Sequence, residues 1–177
     1  MTNMNSSLST GLRALDTVLR GLIAGDNVVF QLDRLRDFDP FVAPYCTSAL
    51  ARGKKLVYFR FGDHPPLVGR DCGAEIHEID PSDGFESFIS EIHSIIENSA
   101  RGTSYLFDCL TDLASHWYSD RMLANFFMLT CPYLYDVEAI AYFPILREEH
   151  SLDAITPIQE TAQIILDVYT HKEKVFV

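Results

Sequence analysis

Apolar and polar positions along the chain switch between the two periods that mark helices and strands. Residues 10–19 set Leu12, Leu15, Val18 and Leu19 on one helical stripe, with Asp16 and Arg20 outside it. Gly21 and Gly25 bracket a turn, and residues 27–32 form an apolar run that predicts a central strand. Residues 40–52 predict a helix that turns Phe41, Pro44, Tyr45 and Leu50 toward a sheet. Pro44 falls in its first turn or so, where a missing N–H is tolerated, and Gly53 closes it. Residues 56–61 predict a second strand, 62–73 a loop rich in Gly and Pro, and 75–79 a short alternating strand. Asp83 with Glu86 predicts a capping box that opens a helix running to Asn98, striped by Phe85, Phe88, Ile89, Ile92, Ile95 and Ile96. Residues 104–108 predict a strand ending in a carboxylate, 117–129 a helix carrying Met122, Leu123, Phe126, Phe127 and Leu129, and 137–144 another strand. Thr156, Pro157 and Gln159 read as the N-cap, first-turn proline and capping Gln of a short helical turn. Residues 163–169 and 174–177 predict a closing hairpin around His171, Lys172 and Glu173.

Strands alternating with helices imply right-handed crossovers, and so a three-layer α/β fold with a mostly parallel central sheet and an antiparallel C-terminal edge. The chain has 177 residues and no linker or repeat, which fits one domain spanning 1–177, with 1–9 expected to be flexible. It stops inside the last predicted strand, so a piece of a longer protein is expected. At 47% hydrophobic residues the chain can bury a core, which excludes disorder. A formal net charge of -11 argues against nucleic acid and anionic membrane as partners. No apolar run has the length of a membrane span, and residues 1–9 lack the apolar core of a signal peptide, so a cytoplasmic protein is expected. Cys46, Cys72, Cys109 and Cys131 form no CxxC pair and read as reduced core thiols. The histidines His64, His77, His93, His150 and His171 are not spaced as ligands, so neither a metal site nor a cofactor is expected.

The chemistry concentrates where the strand of residues 27–32 runs on to Pro40. In a mononucleotide-binding α/β domain this strand–loop–helix junction cradles phosphates, with glycines for backbone approach and a lysine for charge. Here Leu35 and Phe38 supply bulk, and Asp33, Asp37 and Asp39 supply negative charge. Asp39 is expected to cap the following helix, a carboxylate of the protein standing where a phosphate would sit.

Three stretches resemble the KaiC-like branch of the RecA-type ATPases: Ser9-Thr10-Gly11 through Leu15-Asp16 with Gly21 and Gly25-Asp26; Lys54-Lys55-Leu56-Val57-Tyr58-Phe59-Arg60-Phe61-Gly62-Asp63; and Tyr105-Leu106-Phe107-Asp108-Cys109-Leu110-Thr111-Asp112-Leu113. They are similar to that family's entry motif, the strand after its P-loop helix, and its Walker B strand. The order of the remaining segments agrees, so the likeness spans nearly the whole chain. The departures carry the functional reading. No GxxxxGK[ST] occurs in Gln31–Pro40. The family's acidic pair aligns with Gly62-Asp63, so the catalytic Glu is missing. Asp108 remains at the position that would hold Mg²⁺ through water. The pattern also resembles the degenerate RecA-like domain at the N-terminus of some phosphoenolpyruvate synthase-like proteins.

Ligands in such sheets gather at the carboxyl ends of the strands. The residues expected there are Asp33, Arg34, Arg36, Arg60, Asp63 and Asp108, with His64, Arg147 and His150 alongside. One reading has Arg34, Arg36 and Arg60 hold an anionic metabolite. The favoured one has Arg–Asp pairs fill the vacated cleft, because acid and base nearly balance there. Cys109 with His116 offers a nucleophilic pair on paper, though a strand-end Cys is more often packing. Trp117, Tyr118, Phe126, Phe127, Tyr133 and Tyr135 read as core plus a face for a partner protein or a second copy. The expected function is a non-catalytic regulatory or assembly module without a working P-loop. The alternatives are a divergent ATP-binding protein and a metabolite sensor at the strand ends.

Overall fold

A computed structural model describes residues 7–172 and 174–177. Residues 1–6 of the tail expected to be flexible, and Glu173 in the expected hairpin turn, lie outside the described residues. The central sheet holds β1 (Asn27–Leu32), β2 (Leu56–Arg60), β3 (Glu75–Glu78), β4 (Ser104–Phe107), β5 (Ile140–Leu146) and β6 (Ile164–Asp167). Their spatial order is β3-β2-β4-β5-β1-β6, and each neighbouring pair is parallel. β7 (Tyr169–His171) and β8 (Lys174–Phe176) form a separate antiparallel ribbon after the edge strand. Helices α1 (Arg13–Leu19) and α2 (Asp39–Ala51) pack on one face. On the other lie α3 (Phe85–Glu97), α4 (Leu110–Trp117), α5 (Asp120–Asp136) and α6 (Leu152–Thr161). The fold is three-layer α/β. Right-handed crossovers explain the split: the connection toward β3 carries α2, and those running back toward β6 carry the opposite layer.

Strand side chains alternate between two cores, as the pleat requires. Val28, Phe30, Leu32, Tyr58, Leu106 and Tyr142 face α1 and α2, whereas Val29, Val57, Phe59, Tyr105, Phe107 and Phe143 face α3 to α6. Each buried ring removes enough apolar surface from water to contribute about 1.5–3 kcal/mol. Tyr45 adds a polar tie: its ring stacks on Tyr142 at 3.8 Å, and its hydroxyl meets the Tyr105 and Ile140 carbonyls of two neighbouring strands at 3.0 and 2.9 Å. The Thr10–Asp16 stretch forms a local knot. Asp16 accepts from the Thr10 amide and hydroxyl, each at 2.7 Å, and from the Ser9 hydroxyl. Gly11 is held at φ 86 against the Pro44 carbonyl, where a Cβ would overlap it.

Several expected boundaries are corrected. The capping box of Asp83 and Glu86 does not form: Asp80 caps a 3₁₀ turn at Pro81–Asp83, and Gly84 at φ 98 redirects the chain into α3. α5 runs from Asp120 through Pro132 to Asp136, past the expected end at 129, so β5 starts at Ile140. Pro132 and Met128 are both exposed, so the carbonyl that the proline leaves without a donor faces water. Pro157 likewise lies inside α6, which starts after Ser151, and does not open a turn. Residues 164–167 pair with β1 in the central sheet, and only β7 and β8 make the hairpin. No helix among the described residues is long and apolar enough to cross a membrane.

Removing the Tyr45 hydroxyl withdraws a donor shared by two buried carbonyls. Tyr45→Phe is expected to lower unfolding free energy by about 1–3 kcal/mol, measured by urea denaturation; unchanged stability would show that the tie contributes nothing.

Candidate functional site

The register of β2 against β4 pairs Phe59 with Phe107, which brings the next residues, Arg60 and Asp108, level at the carboxyl edge. Asp108 is fully buried. Its Oδ2 accepts from Arg60 Nη1 at 2.7 Å and from the Phe61 and Gly62 amides, each at 2.8 Å. Its Oδ1 accepts from the Tyr58 hydroxyl, which in turn accepts from the Leu67 amide at 3.1 Å. Burial, then the charge of Asp108, pushes the Tyr58 phenol well above its ordinary range. Burial would lower Arg60, but its hydrogen bond and charge pairing with Asp108 outweigh this and raise it. The same guanidinium donates to the Gly62 and His64 carbonyls, so one ion pair pins the whole turn.

Around this pair the turn closes on α4. His64 Nδ1 lies 2.7 Å from the Pro65 carbonyl and therefore donates to it. His64 Nε2 faces Asp108 Oδ1 at 3.6 Å and Asp112 Oδ2 at 3.5 Å. Burial raises Asp112, and Asp108 adds to that, while His64 works the other way. A Cβ at Gly62 would overlap both the Asp112 carboxylate and the His64 ring, so the glycine is what lets the turn sit this low. Asp63 points outward, with His116 at 3.8 Å.

At the end of β1 a 3₁₀ turn, Leu35–Phe38, runs directly into α2. Phe38 fills the corner, its ring 4.9 Å from Phe30. Asp39 is the first residue of α2 and makes no capping bond, so the expected cap is corrected. The buried carboxylate here is Asp37, held by Arg34 at 3.1 Å. Burial would raise Asp37, but the hydrogen bonds and charge of Arg34 outweigh it and lower it. Asp33 meets Arg147 at 3.5 Å. Arg147 also donates to the Gln31 and Val168 carbonyls at 3.0 and 3.2 Å and lies 4.2 Å over the Tyr169 ring. Of the six expected residues, the structure joins only Arg60 and Asp108 directly. Arg34 and Arg36 line a separate cleft of about 580 Å³ with Lys172, Asp37 and Asp39.

One array was not expected from the sequence. His150 sits between Asp120 (Nδ1 to Oδ1 2.8 Å) and Thr111 (Nε2 to Oγ1 2.9 Å), with its side chain 1% exposed. Thr111 Oγ1 also accepts from the Leu146 amide at 3.0 Å, and Asp120 from the Ser151 amide at 2.6 Å. The Asp–His–Thr order matches that of hydrolytic triads. Here the imidazole is sealed from solvent and clamps α4, α5 and the β5–α6 connection together.

The donor set does not fit Mg²⁺. The ion is gripped by carboxylates that keep its water in reach, whereas Asp108 is fully buried and already accepts from four internal donors. Among the described residues no three His, Cys, Asp or Glu are arranged to hold a metal ion. Cys109 is also no nucleophile: burial, with Asp112 second, pushes its thiol up to about 12, so thiolate is scarce at neutral pH. No protein-family model matches this chain, and no curated protein does.

Asp120 is lowered in the folded chain because its bonds to His150 and Ser151 outweigh burial. Its contribution is therefore full above the unfolded carboxylate range and is lost as pH falls through the folded value. Asp120→Asn is expected to lower stability at neutral pH and to flatten the acid limb of the stability profile, followed by urea unfolding against pH. A parallel displacement of the whole curve would contradict this linkage.

Proposed function

We propose that this chain is a non-catalytic regulatory or assembly module on a RecA/KaiC-like scaffold, of the kind found in phosphoenolpyruvate synthase-like proteins, working in the cytoplasm through a protein partner or a second copy. The observation that carries the reading is the saturation of Asp108. The carboxylate that would serve Mg²⁺ accepts four internal donors at full burial. Phe38, packed on Phe30 and Phe41, supports it from the neighbouring corner, where a triphosphate would need space and backbone amides. Four free cysteines agree with a reducing compartment.

A second reading, a sensor of small anions, draws support from the cleft lined by Arg34, Arg36 and Lys172. It differs from an ATPase in needing no metal.

Calorimetric titration with millimolar ATP, with Mg²⁺ and with chelator, separates these readings. No metal-dependent binding is expected, and Asp108→Asn is expected to cost stability, about 3–5 kcal/mol for a broken buried pair. Metal-dependent ATP binding that Asp108→Asn abolishes would overturn the first reading. Metal-independent binding of pyrophosphate, lost in Arg36→Ala/Lys172→Ala, would establish the second.

A further inference from the structure

An apolar groove that neither reading uses lies beside the sheet edge. Its volume is about 690 Å³, and it runs between α1, the outer side of β6 and the β7–β8 ribbon. Leu12, Val18, Phe41, Ile165, Tyr169 and Phe176 are among its lining residues. Val18 is 79% exposed, Tyr169 49% and Phe176 50%, so several large apolar side chains that the core leaves out meet on this concavity. Volume and character lie in the range of small-molecule sites, which are mostly apolar with a few placed polar groups.

The polar groups are specific. Arg13 and Asp167 line the groove, and Asp167 is engaged by Arg147 at 3.5 Å. Arg13 has no ion-pair partner among the described residues. Val175 is shared with the cleft that holds Arg34, Arg36 and Lys172. In a chain of net charge -11, Arg13 is thus the cation of this apolar concavity, with its neighbour Asp167 already engaged. An anionic head group meets complementary charge there, and an apolar body meets the floor. The overall negative charge repels an anionic lipid surface, which favours a free ligand.

We infer that the groove between α1, β6 and the terminal ribbon binds a free amphipathic carboxylate, its acyl or aromatic body on Val18, Tyr169 and Phe176 and its carboxylate on Arg13. The probe is decanoate, titrated calorimetrically into the full chain below its micellar range, with decanol as the neutral control. Saturable binding of decanoate is expected. Arg13→Glu replaces attraction by repulsion and is expected to weaken decanoate about tenfold while leaving decanol nearly unchanged. Phe176→Asp, on an exposed ribbon, is expected to weaken both, with the thermal unfolding midpoint confirming that the fold is kept. No saturable decanoate binding, equal losses for acid and alcohol in Arg13→Glu, or full binding in folded Phe176→Asp would each overturn the proposal. So would sedimentation with phosphatidylglycerol vesicles in place of free decanoate binding.

Discussion

A carboxylate at full burial is tolerable only where donors replace the water it has lost. Asp108 meets that condition through the geometry of two parallel strands. The pairing of Phe59 with Phe107 sets Arg60 beside it, and the chain beyond Arg60 turns back so that two successive amides point at the same oxygen. The Tyr58 hydroxyl closes the other side and carries the Leu67 amide with it. Each donor comes from the segment that follows β2 or from β2 itself. The charge therefore organises a loop as well as a site, and freeing the oxygens for an ion would require the loop from Gly62 onward to let go.

The neighbouring corner is closed by a different force. Phe38 is fully buried and stacks among Phe30 and Phe41, so apolar surface there is already removed from water. Arg34 and Asp37 pair across the turn, and Arg147 ties the ends of β1, β5 and β6 through the Gln31 and Val168 carbonyls. Electrostatic saturation at β4 and hydrophobic filling after β1 act independently, and together they leave the carboxyl edge occupied by the protein's own groups.

Much of the architecture was legible because the central strands are uninterrupted apolar runs and α3 has a clean stripe. The misses have physical causes. Leu110, Leu113 and Trp117 already carried a helical spacing, but Tyr118 in a left-handed conformation at φ 50 splits the region into α4 and α5, and no glycine marks the break. Pro157 was expected to open a helical turn and lies inside α6, and Pro132 lies inside α5 on its exposed side. At the site, Arg60 and Asp108 were both legible as strand-end residues, but their pairing needed the register of β2 against β4. The array of Thr111, His150 and Asp120 did not, because its members come from three connections whose approach depends on tertiary packing. Asp39 was expected to cap the helix, but the 3₁₀ turn makes it the exposed first residue of α2, and of the three acids of the corner Asp37 is the one buried.

The position of β1 has a consequence for how the molecule is made. Both of its neighbours, β5 and β6, come from the last third of the chain, and Asn27 reaches Gln163 across 136 positions. During synthesis the strand Val28–Leu32 stays without its sheet partners until residues 140–167 have been made. Domains with such distant pairings close late and expose apolar segments meanwhile. Until that closure the apolar run of β1 lies unshielded, a hazard that follows from the strand order alone.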